Sequence, residues 1–211
     1  MDNLSPKSGL LDLHAGATSF TKFLSAPMKT PSKLLRLPLI ALALAGFATG
    51  LRAELEPEQQ AKVDAKVAVI KTWAAEPAVV AAVVAHNTQV PADQAAMTQE
   101  KWKSLSVLDP FVRSFTKTPV GDVLKAKKAD WTTEAFISDA KGIKVAFLSK
   151  PTNWSHAGKP KHDVPMTGKS WQGAIEVDES SGLQQLQIAV PVLKDGQPIG
   201  SLVVGLSLSK L

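Results

Sequence analysis

The sequence lacks cysteine and tyrosine, and its charge is nearly balanced once the N-terminal quarter is set aside. Without cysteine no disulfide can support the fold, so burial of apolar surface must stabilise it. Residues 1–53 hold six of the 24 basic and two of the 19 acidic residues, which leaves 18 basic and 17 acidic residues and a net charge of +1. The pI of about 9.4 therefore reflects the N-terminal segment. A glycine-rich phosphate-binding motif is also lacking, and we expect no nucleic-acid partner and no cofactor.

An apolar run near the N-terminus has the layout of an export signal. The basic stretch 28–36 is followed at once by the uncharged run 37–51. That run has 15 residues, whereas a helix that crosses a bilayer needs about 20. We therefore interpret residues 28–53 as a signal peptide. Cleavage is expected after Ala53, with Gly50 as the alternative position and an uncleaved membrane anchor as the alternative outcome.

The remainder of the chain has the length of one domain. Residues 54–211 contain no linker, charge block or repeat. We expect a helical part at residues 54–130 and a sheet part at residues 131–211. Residues 1–27 precede a complete leader, so we interpret them as an extension that results from a start codon assigned too early.

The helical part begins with an amphipathic pattern. Pro57 suits a first helical turn, and Pro77 interrupts the apolar pattern, so a kinked or broken helix is expected there. Thr98 and Thr118 are N-cap residues of two further helices. One apolar stripe on the first helix follows four-three-four spacing and consists of Val63, Val67, Ile70 and Ala74.

The period changes from helical to alternating after Trp131. Strands are expected at 134–139 and 143–149, with Ile143, Val145 and Phe147 on one face of the second strand. Residues 150–170 contain so many prolines and glycines that they predict a long loop without long regular elements.

Two more hairpins complete the chain. A strand at 171–178 should return through Ser180-Ser181-Gly182. Asp195-Gly196 should then form a tight turn that pairs 186–192 with 199–206. The last strand shows little polar alternation, so it should be central and buried.

Two segments resemble parts of Cache domains, which are PAS-like extracytoplasmic sensors. Residues 188–205 read IAVPVLKDGQPIGSLVVG and resemble the closing hairpin, and residues 136–142 read FISDAKG and resemble the first strand and turn. The resemblance implies an α+β fold, in which a long N-terminal helix and shorter helices precede a five-stranded antiparallel sheet. It also implies a ligand pocket between one sheet face and the loop that joins the second and third strands.

The resemblance implies a periplasmic or secreted module that senses or binds a small ligand. Because the sequence stops at Leu211, soon after the last strand, we expect it to act with a separate signalling or transport partner, such as a membrane receptor or kinase. The lack of tyrosine excludes the tyrosine-bearing motif of the larger double Cache domains, which disfavours an amino-acid sensor. Family members usually pair through the first helix, and its apolar stripe would permit a homodimer.

Aromatic and cationic residues concentrate in and just beyond the loop 150–170. Tryptophans there would form flat apolar walls, while the histidines and a lysine would donate to a carboxylate, so a small organic anion is the expected ligand. The alternative is that the tryptophans belong to the core and the lysine is solvated. Arg113 is the only arginine after residue 53 and would suit a bidentate carboxylate clamp. The other expected ligand contacts are Trp154, His156, Lys159, His162 and Trp171.

Metal binding and catalysis are weaker interpretations of the same loop. His156, His162 and Asp163 match no compact metal motif, and a further ligand would have to come from elsewhere, such as His86. Adjacent histidine and aspartate side chains rarely point the same way, and Ser155 stands in no nucleophile elbow. We therefore expect neither a metal nor an enzyme. The main alternative function is a periplasmic interaction or assembly protein without a usable pocket.

Export can be tested on the secreted protein. N-terminal sequencing should give a mature chain that begins near residue 54, because signal peptidase cleaves after small residues that follow an apolar run of this length. Recovery of a membrane-bound chain that still carries residues 28–53 would instead establish the anchor.

Overall fold

The computed structural model describes residues 55–177 and 184–211. The interpreted extension 1–27, the signal peptide 28–53 and the turn at Ser180-Ser181-Gly182 lie outside these residues.

Most helices begin where proline or a hydroxyl side chain suits a first turn. Four helices begin at a proline, whose missing N–H is not needed there, namely at Pro57, Pro77, Pro110 and Pro119. Thr98 accepts a bond from the Lys101 N–H at 3.2 Å, and Thr118 accepts one from the Gly121 N–H at 3.0 Å, which confirms both expected caps. The helices of the described residues are α1 (Pro57–Ala74), α2 (Pro77–Thr88), α3 (Ala92–Ala95), α4 (Gln99–Ser104), α5 (Pro110–Ser114), α6 (Pro119–Lys127) and α7 (Pro160–Asp163).

The expected break at Pro77 is present. α1 and α2 meet there at a bend of 63°. Within 55–177 and 184–211 no single helix is long and apolar enough to cross a membrane, although the bent pair would satisfy length and composition if taken together.

The described strands are β1 (Thr132–Asp139), β2 (Lys144–Phe147), β3 (Trp171–Gln172), β4 (Glu176–Val177), β5 (Gln184–Lys194) and β6 (Gln197–Ser207). They form one antiparallel sheet in the order β2-β1-β6-β5-β3, with β4 paired to β5. The arrangement of helices followed by an antiparallel sheet confirms the α+β fold that the Cache resemblance implies. The described sheet has six strands rather than five, because the strand expected at 171–178 is divided into two short ones.

The sheet separates two apolar cores. The helix-side core lies under α1, α2 and α6, and Trp73 stacks there on Trp131 with ring centroids 5.4 Å apart. The loop-side core lies on the other face and is rich in aromatic residues. Its buried members are Met97, Trp102, Val112, Phe115, Phe136, Phe147, Trp154, Ala189 and Val203.

The stripe on α1 packs inside its own domain. Val63, Ile70 and Ala74 are buried in the helix-side core, and Val67 is half-buried against it. α1 contacts β5. A homodimer through α1 would therefore have to use another face of the helix.

The face assignment for the second strand is wrong for one residue. Ile143 and Phe147 contact the loop-side core, but Val145 belongs to the helix-side core. Simple alternation fails because the pairing between β1 and β2 shifts in the middle of the strands.

That shift decides the position of a lysine. Ala146 pairs with Ile137, but the next pair joins Ser138 to Lys144, so Val145 is the extra residue of a β-bulge. As a result, the Lys144 side chain lies on the loop-side face and is 0% exposed. Regular alternation would have placed Lys144 on the other face of the sheet from Phe147.

The loop 150–170 contains only short elements, as its proline and glycine content predicts. These are α7 and a 3-10 turn at Pro165–Thr167. Both contact β5 and β6, so the loop covers the loop-side face of the sheet. β6 is the central strand, and its buried pattern confirms the expectation for the last strand.

The Asp195-Gly196 turn joins β5 to β6 as expected. Lys194 pairs with Gln197 across it. Asp195 has φ of 51° and Gly196 has φ of 77°, and positive φ at both central residues is the pattern of a type I′ turn.

Replacing Gly196 with Val should lower the free energy of unfolding by about 1 to 3 kcal/mol, because a β-branched residue is strained at positive φ. An added Cβ there meets no atom within 4 Å, so backbone strain rather than a clash would cause the loss. Urea denaturation measures the change. Lys194→Val places the same residue at the exposed strand end and should be nearly neutral, and equal stabilities of the two variants would contradict the argument.

Candidate functional site

A group of buried polar side chains lies between the sheet and the loop 150–170. Ser138 on β1 and Ser201 on β6 pair across the two strands, and both are buried. The Nζ of Lys144 donates to Ser138 Oγ at 3.0 Å, and His162 Nδ1 lies 2.8 Å from Ser201 Oγ. We call Ser138, Lys144, His156, His162 and Ser201 the inner polar cluster.

Lys144 is a buried ammonium with neutral acceptors. Besides Ser138 it contacts His156 Nδ1, and its Nζ lies 4.9 Å from the centroid of the Phe136 ring. No carboxylate of the described residues lies within ion-pair distance of it. Burial lowers the pKa of Lys144 to about 7. The lysine is therefore partly deprotonated near neutral pH.

His156 is held as a neutral ring. It stacks on Phe136 with ring centroids 4.7 Å apart and an interplanar angle of 13°. Burial, followed by the charges of Lys144 and Lys161, lowers the pKa of His156 to about 2. Because the ring stays neutral, its Nδ1 can accept the bond from Lys144.

His162 and Lys161 tie α7 to the sheet. His162 is 3% exposed, and burial lowers its pKa. The Nζ of Lys161 donates to Gln187 Oε1 on β5, and burial lowers the pKa of Lys161 as well. The inner polar cluster and Lys161 thus gather several nitrogen-bearing groups under the loop.

Trp154 belongs to the loop-side core. Its ring centroid lies 5.1 Å from that of Trp102 and 5.7 Å from that of Phe115. Its backbone N–H donates to Gln99 Oε1 at 2.8 Å, and Gln99 Nε2 donates to Thr152 O at 3.0 Å. These bonds fix the loop to α4.

An open cavity of about 510 Å³ lies between this part of the loop and the connection from α2 to α4. We call it the Trp154 cavity. Val90, Met97, Ile143 and Trp154 form most of its apolar wall.

The polar groups of the Trp154 cavity come from three places. Gln94 lies on α3, Gln99 begins α4, and Lys141 lies in the turn after β1. Lys141 is exposed, whereas both glutamines are half-buried. Each glutamine also makes a hydrogen bond behind the wall, so its position is fixed.

A buried histidine lies behind Gln94. His86 Nε2 is 2.6 Å from Gln94 Oε1, and His86 Nδ1 is 2.9 Å from Asp139 Oδ2. Asp139 Oδ1 accepts bonds from the N–H groups of Lys141 and Ile143, which line the cavity on its other side. The Asp139 carboxylate therefore connects the wall that contains Gln94 with the wall that contains Lys141 and Ile143.

The expected ligand contacts lie in different environments. Trp154 lines the Trp154 cavity, while His156 and His162 belong to the inner polar cluster. Lys159 is exposed just before α7, and Trp171 is half-buried on β3 against the loop-side core.

Arg113 is exposed on α5 beside a shallow groove that also includes Leu108 and Lys117. Lys159, Trp171 and Arg113 are not among the residues that line the Trp154 cavity.

The sequence interpretation missed Lys144, Lys141 and both glutamines. A lysine inside an otherwise apolar strand was a usable signal for Lys144. Gln94 and Gln99 carried no such signal, because they occur in a polar connection far from the loop in sequence.

The catalytic and metal interpretations find no matching geometry in the described part of the chain. Ser155 Oγ accepts a bond from the Ala157 N–H, and Asp163 Oδ1 accepts one from the Gly158 N–H rather than contacting His162. No group of three or more His, Cys, Asp or Glu side chains converges among residues 55–177 and 184–211.

Comparison with known proteins finds distant matches among solved structures. No family model matches the sequence, and no curated protein matches it. The ligand-binding domain of the Pseudomonas aeruginosa PAO1 amino-acid chemoreceptor PctC, solved with GABA, is 13% identical with a TM-score of 0.43, and the match covers 72% of this chain and 56% of that one. The V. cholerae histidine kinase DctB sensor domain is 18% identical with a TM-score of 0.36, covering 72% and 55%.

The E. coli DcuS sensor domain is 14% identical with a TM-score of 0.43, and the match covers 74% of this chain and 95% of that one. The chain spans little more than half of the PctC and DctB domains. These matches do not identify the ligand of this chain.

The charge on Lys144 can be tested by replacing it with Met. Folding lowers the pKa of Lys144 from 10.5 to about 7, so between these pH values the lysine loses its proton when the protein folds. The free-energy cost of burying the charged lysine is therefore removed as pH rises. The stability of Lys144→Met relative to the unsubstituted protein should therefore fall from pH 7 to pH 10 by on the order of 3 kcal/mol.

Urea denaturation at several pH values measures this difference. Lys169→Met is the control, because Lys169 is exposed in the same loop. Parallel pH profiles for the Lys144 variant and the unsubstituted protein would show that the ammonium carries no such penalty.

Proposed function

We propose that this chain is an extracytoplasmic module that senses or binds a small organic anion with an apolar body. The single observation that carries the proposal is the Trp154 cavity, which joins an apolar wall to a few convergent polar groups beside the loop that covers the sheet. Small-ligand sites usually have this composition.

The size and lining of the cavity define the ligand class. A volume of about 510 Å³ lies within the range of about 300 to 1,000 Å³ that small-molecule sites occupy. Trp154 and Met97 would contact the apolar body. Lys141 is the one cation among the lining residues and would contact the acidic group, while the glutamines would select its orientation.

The inner polar cluster supports an anionic ligand. Ile143 and Ser155 line the cavity, and each is followed in the chain by a cluster residue, Lys144 and His156. The partly protonated Lys144 therefore adds positive potential next to the cavity. A ligand that moves Ile143 or Ser155 would also disturb the Lys144–His156 bond.

The setting of this function is also part of the proposal. We place the domain at residues 54–211, in the periplasm or outside the cell, after removal of the leader near Ala53. The bound state would be passed to a signalling or transport partner, such as a membrane receptor or kinase. The proposed activity is binding and not catalysis.

One observation favours the alternative of an assembly protein without a usable pocket. His156 and His162 are buried against the sheet and bonded to it, so they fill the space in which the sequence predicted a ligand. The Trp154 cavity distinguishes the two functions, and experiments on binding must therefore address that cavity.

The decisive test fills the cavity from its exposed rim. Ala95 is exposed and lines the cavity, so Ala95→Trp should occupy its volume without removing any core side chain. For a carboxylate found by screening tryptophan fluorescence, this variant should bind at least about tenfold more weakly, a loss of about 1.4 kcal/mol. Ala92→Trp is the matched control, because Ala92 is exposed on the same short helix and outside the lining.

Lys141→Gln should weaken the same binding by about 1 kcal/mol or less, because the lysine is exposed and its ion pair is screened. Native mass spectrometry of the purified protein would reveal a retained acid directly. If no carboxylate, amine or metal produces saturable changes in fluorescence or melting temperature, the assembly function is favoured.

A further inference from the structure

His86 is enclosed between two oxygen atoms. It is 7% exposed, and Asp139, which faces its Nδ1, is 1% exposed. The Nε2 atom faces Gln94 Oε1 at 2.6 Å. A carboxylate oxygen and an amide carbonyl oxygen only accept hydrogen bonds, so this geometry requires a proton on each ring nitrogen. His86 is therefore an imidazolium in this arrangement.

The protonated ring fixes the orientation of the Gln94 amide. With Oε1 turned toward His86, the amide NH₂ group is left for other partners, and Gln94 lines the Trp154 cavity. The cavity then presents a hydrogen-bond donor to its contents. A carboxylate would accept that bond.

Loss of one proton reverses this orientation. Asp139 can only accept, so a neutral His86 keeps its proton on Nδ1, and Nε2 becomes an acceptor. The Gln94 amide must then turn over so that its NH₂ group donates to His86, which leaves Oε1 for the cavity. An anion in the cavity would meet a carbonyl oxygen instead of a donor.

On the basis of the proposed function, we infer that His86 is a positioning residue that determines which end of the Gln94 amide faces the cavity. Anions therefore bind when His86 is protonated, and ligands with donor groups bind better when it is neutral. The ligand preference of the cavity thus depends on pH.

The surrounding charges agree with this inference. Burial would lower the pKa of His86, but its hydrogen bonds to Asp139 and Gln94 and the charge of Asp139 raise it above its ordinary value of 6.5. Protonated His86 is therefore the main form at pH values below its raised pKa, and it is lost as pH rises through that pKa.

Other titratable groups lie farther along the same contacts. Asp93 on α3 precedes Gln94 and accepts a bond from its backbone N–H, and the charged side chain of Lys141 follows Asp139 in the turn after β1. Lys144 on β2 and His162 on α7 interact with the charge of Asp139 from the other face of the sheet.

The switch itself can be observed without a ligand. Nitrogen-15 NMR of the histidine rings should show both nitrogens of His86 protonated at pH 6, and the side-chain amide signal of Gln94 should shift with the same midpoint as His86 titrates. In His86→Gln the Gln94 signal should no longer titrate. A neutral His86 at pH 6, or a Gln94 signal that is insensitive to the titration, would overturn the inference even if ligands bind.

The consequence for binding can be measured with benzoate and benzamide, which have the same shape but differ in charge and in donor capacity. Between pH 5.5 and 8.5 the benzoate affinity should fall about tenfold, while the benzamide affinity should not fall. Gln94→Leu removes the amide donor but leaves the charges of His86 and Lys144, so its benzoate affinity should fall clearly less than that of the unsubstituted protein over the same pH range.

These outcomes separate the two proposals. If benzoate binds at all pH values with one affinity, or if its pH dependence is as large in Gln94→Leu as in the unsubstituted protein, the inference fails and the proposed function stands. If neither probe binds and no screened acid does, the proposed function fails, while the NMR titration still decides whether His86 controls Gln94.

Discussion

The buried ammonium of Lys144 is the constraint on which the loop-side half of the molecule depends. A charged or neutral amine enclosed by the sheet must be given acceptors, since an unbonded polar group in that place would be costly. Ser138 supplies one from the adjacent strand, and His156 supplies another from the covering loop. The bond to His156 fixes the loop two residues after Trp154, so it stabilises both the wall of the cavity and the part of the loop that covers the sheet.

Asp139 has a comparable role at the edge of this region. One of its carboxylate oxygens accepts two N–H groups of the turn after β1, and the other bonds His86 at the end of α2. The carboxylate therefore joins a helix of one face to the turn that borders the cavity. Because the two oxygens act on different elements, a change in the protonation of His86 is felt by groups that line a solvent-accessible site.

The parts of the fold that follow from local chemistry were predictable from the sequence, including the break at Pro77 and the turn at Asp195-Gly196. The position of Lys144 was not, because one extra residue at Val145 reverses the alternation that a strand pattern assumes. The Trp154 cavity was also beyond sequence reasoning, since its walls are residues more than 40 positions apart that meet through tertiary contacts. Patterns of residue type located the loop correctly but could not show which of its side chains face inward.

The division of the core by the sheet has a consequence for cooperativity. The helix-side core is almost wholly apolar, whereas the loop-side layer combines aromatic packing with titratable groups. Cooling weakens the apolar contacts of the helix-side core, and acid weakens the contacts of the titratable groups in the loop-side layer. The two layers therefore open locally under different conditions. Both layers contact β6, and the amides of that central strand are therefore the ones whose hydrogen exchange requires the whole domain to unfold.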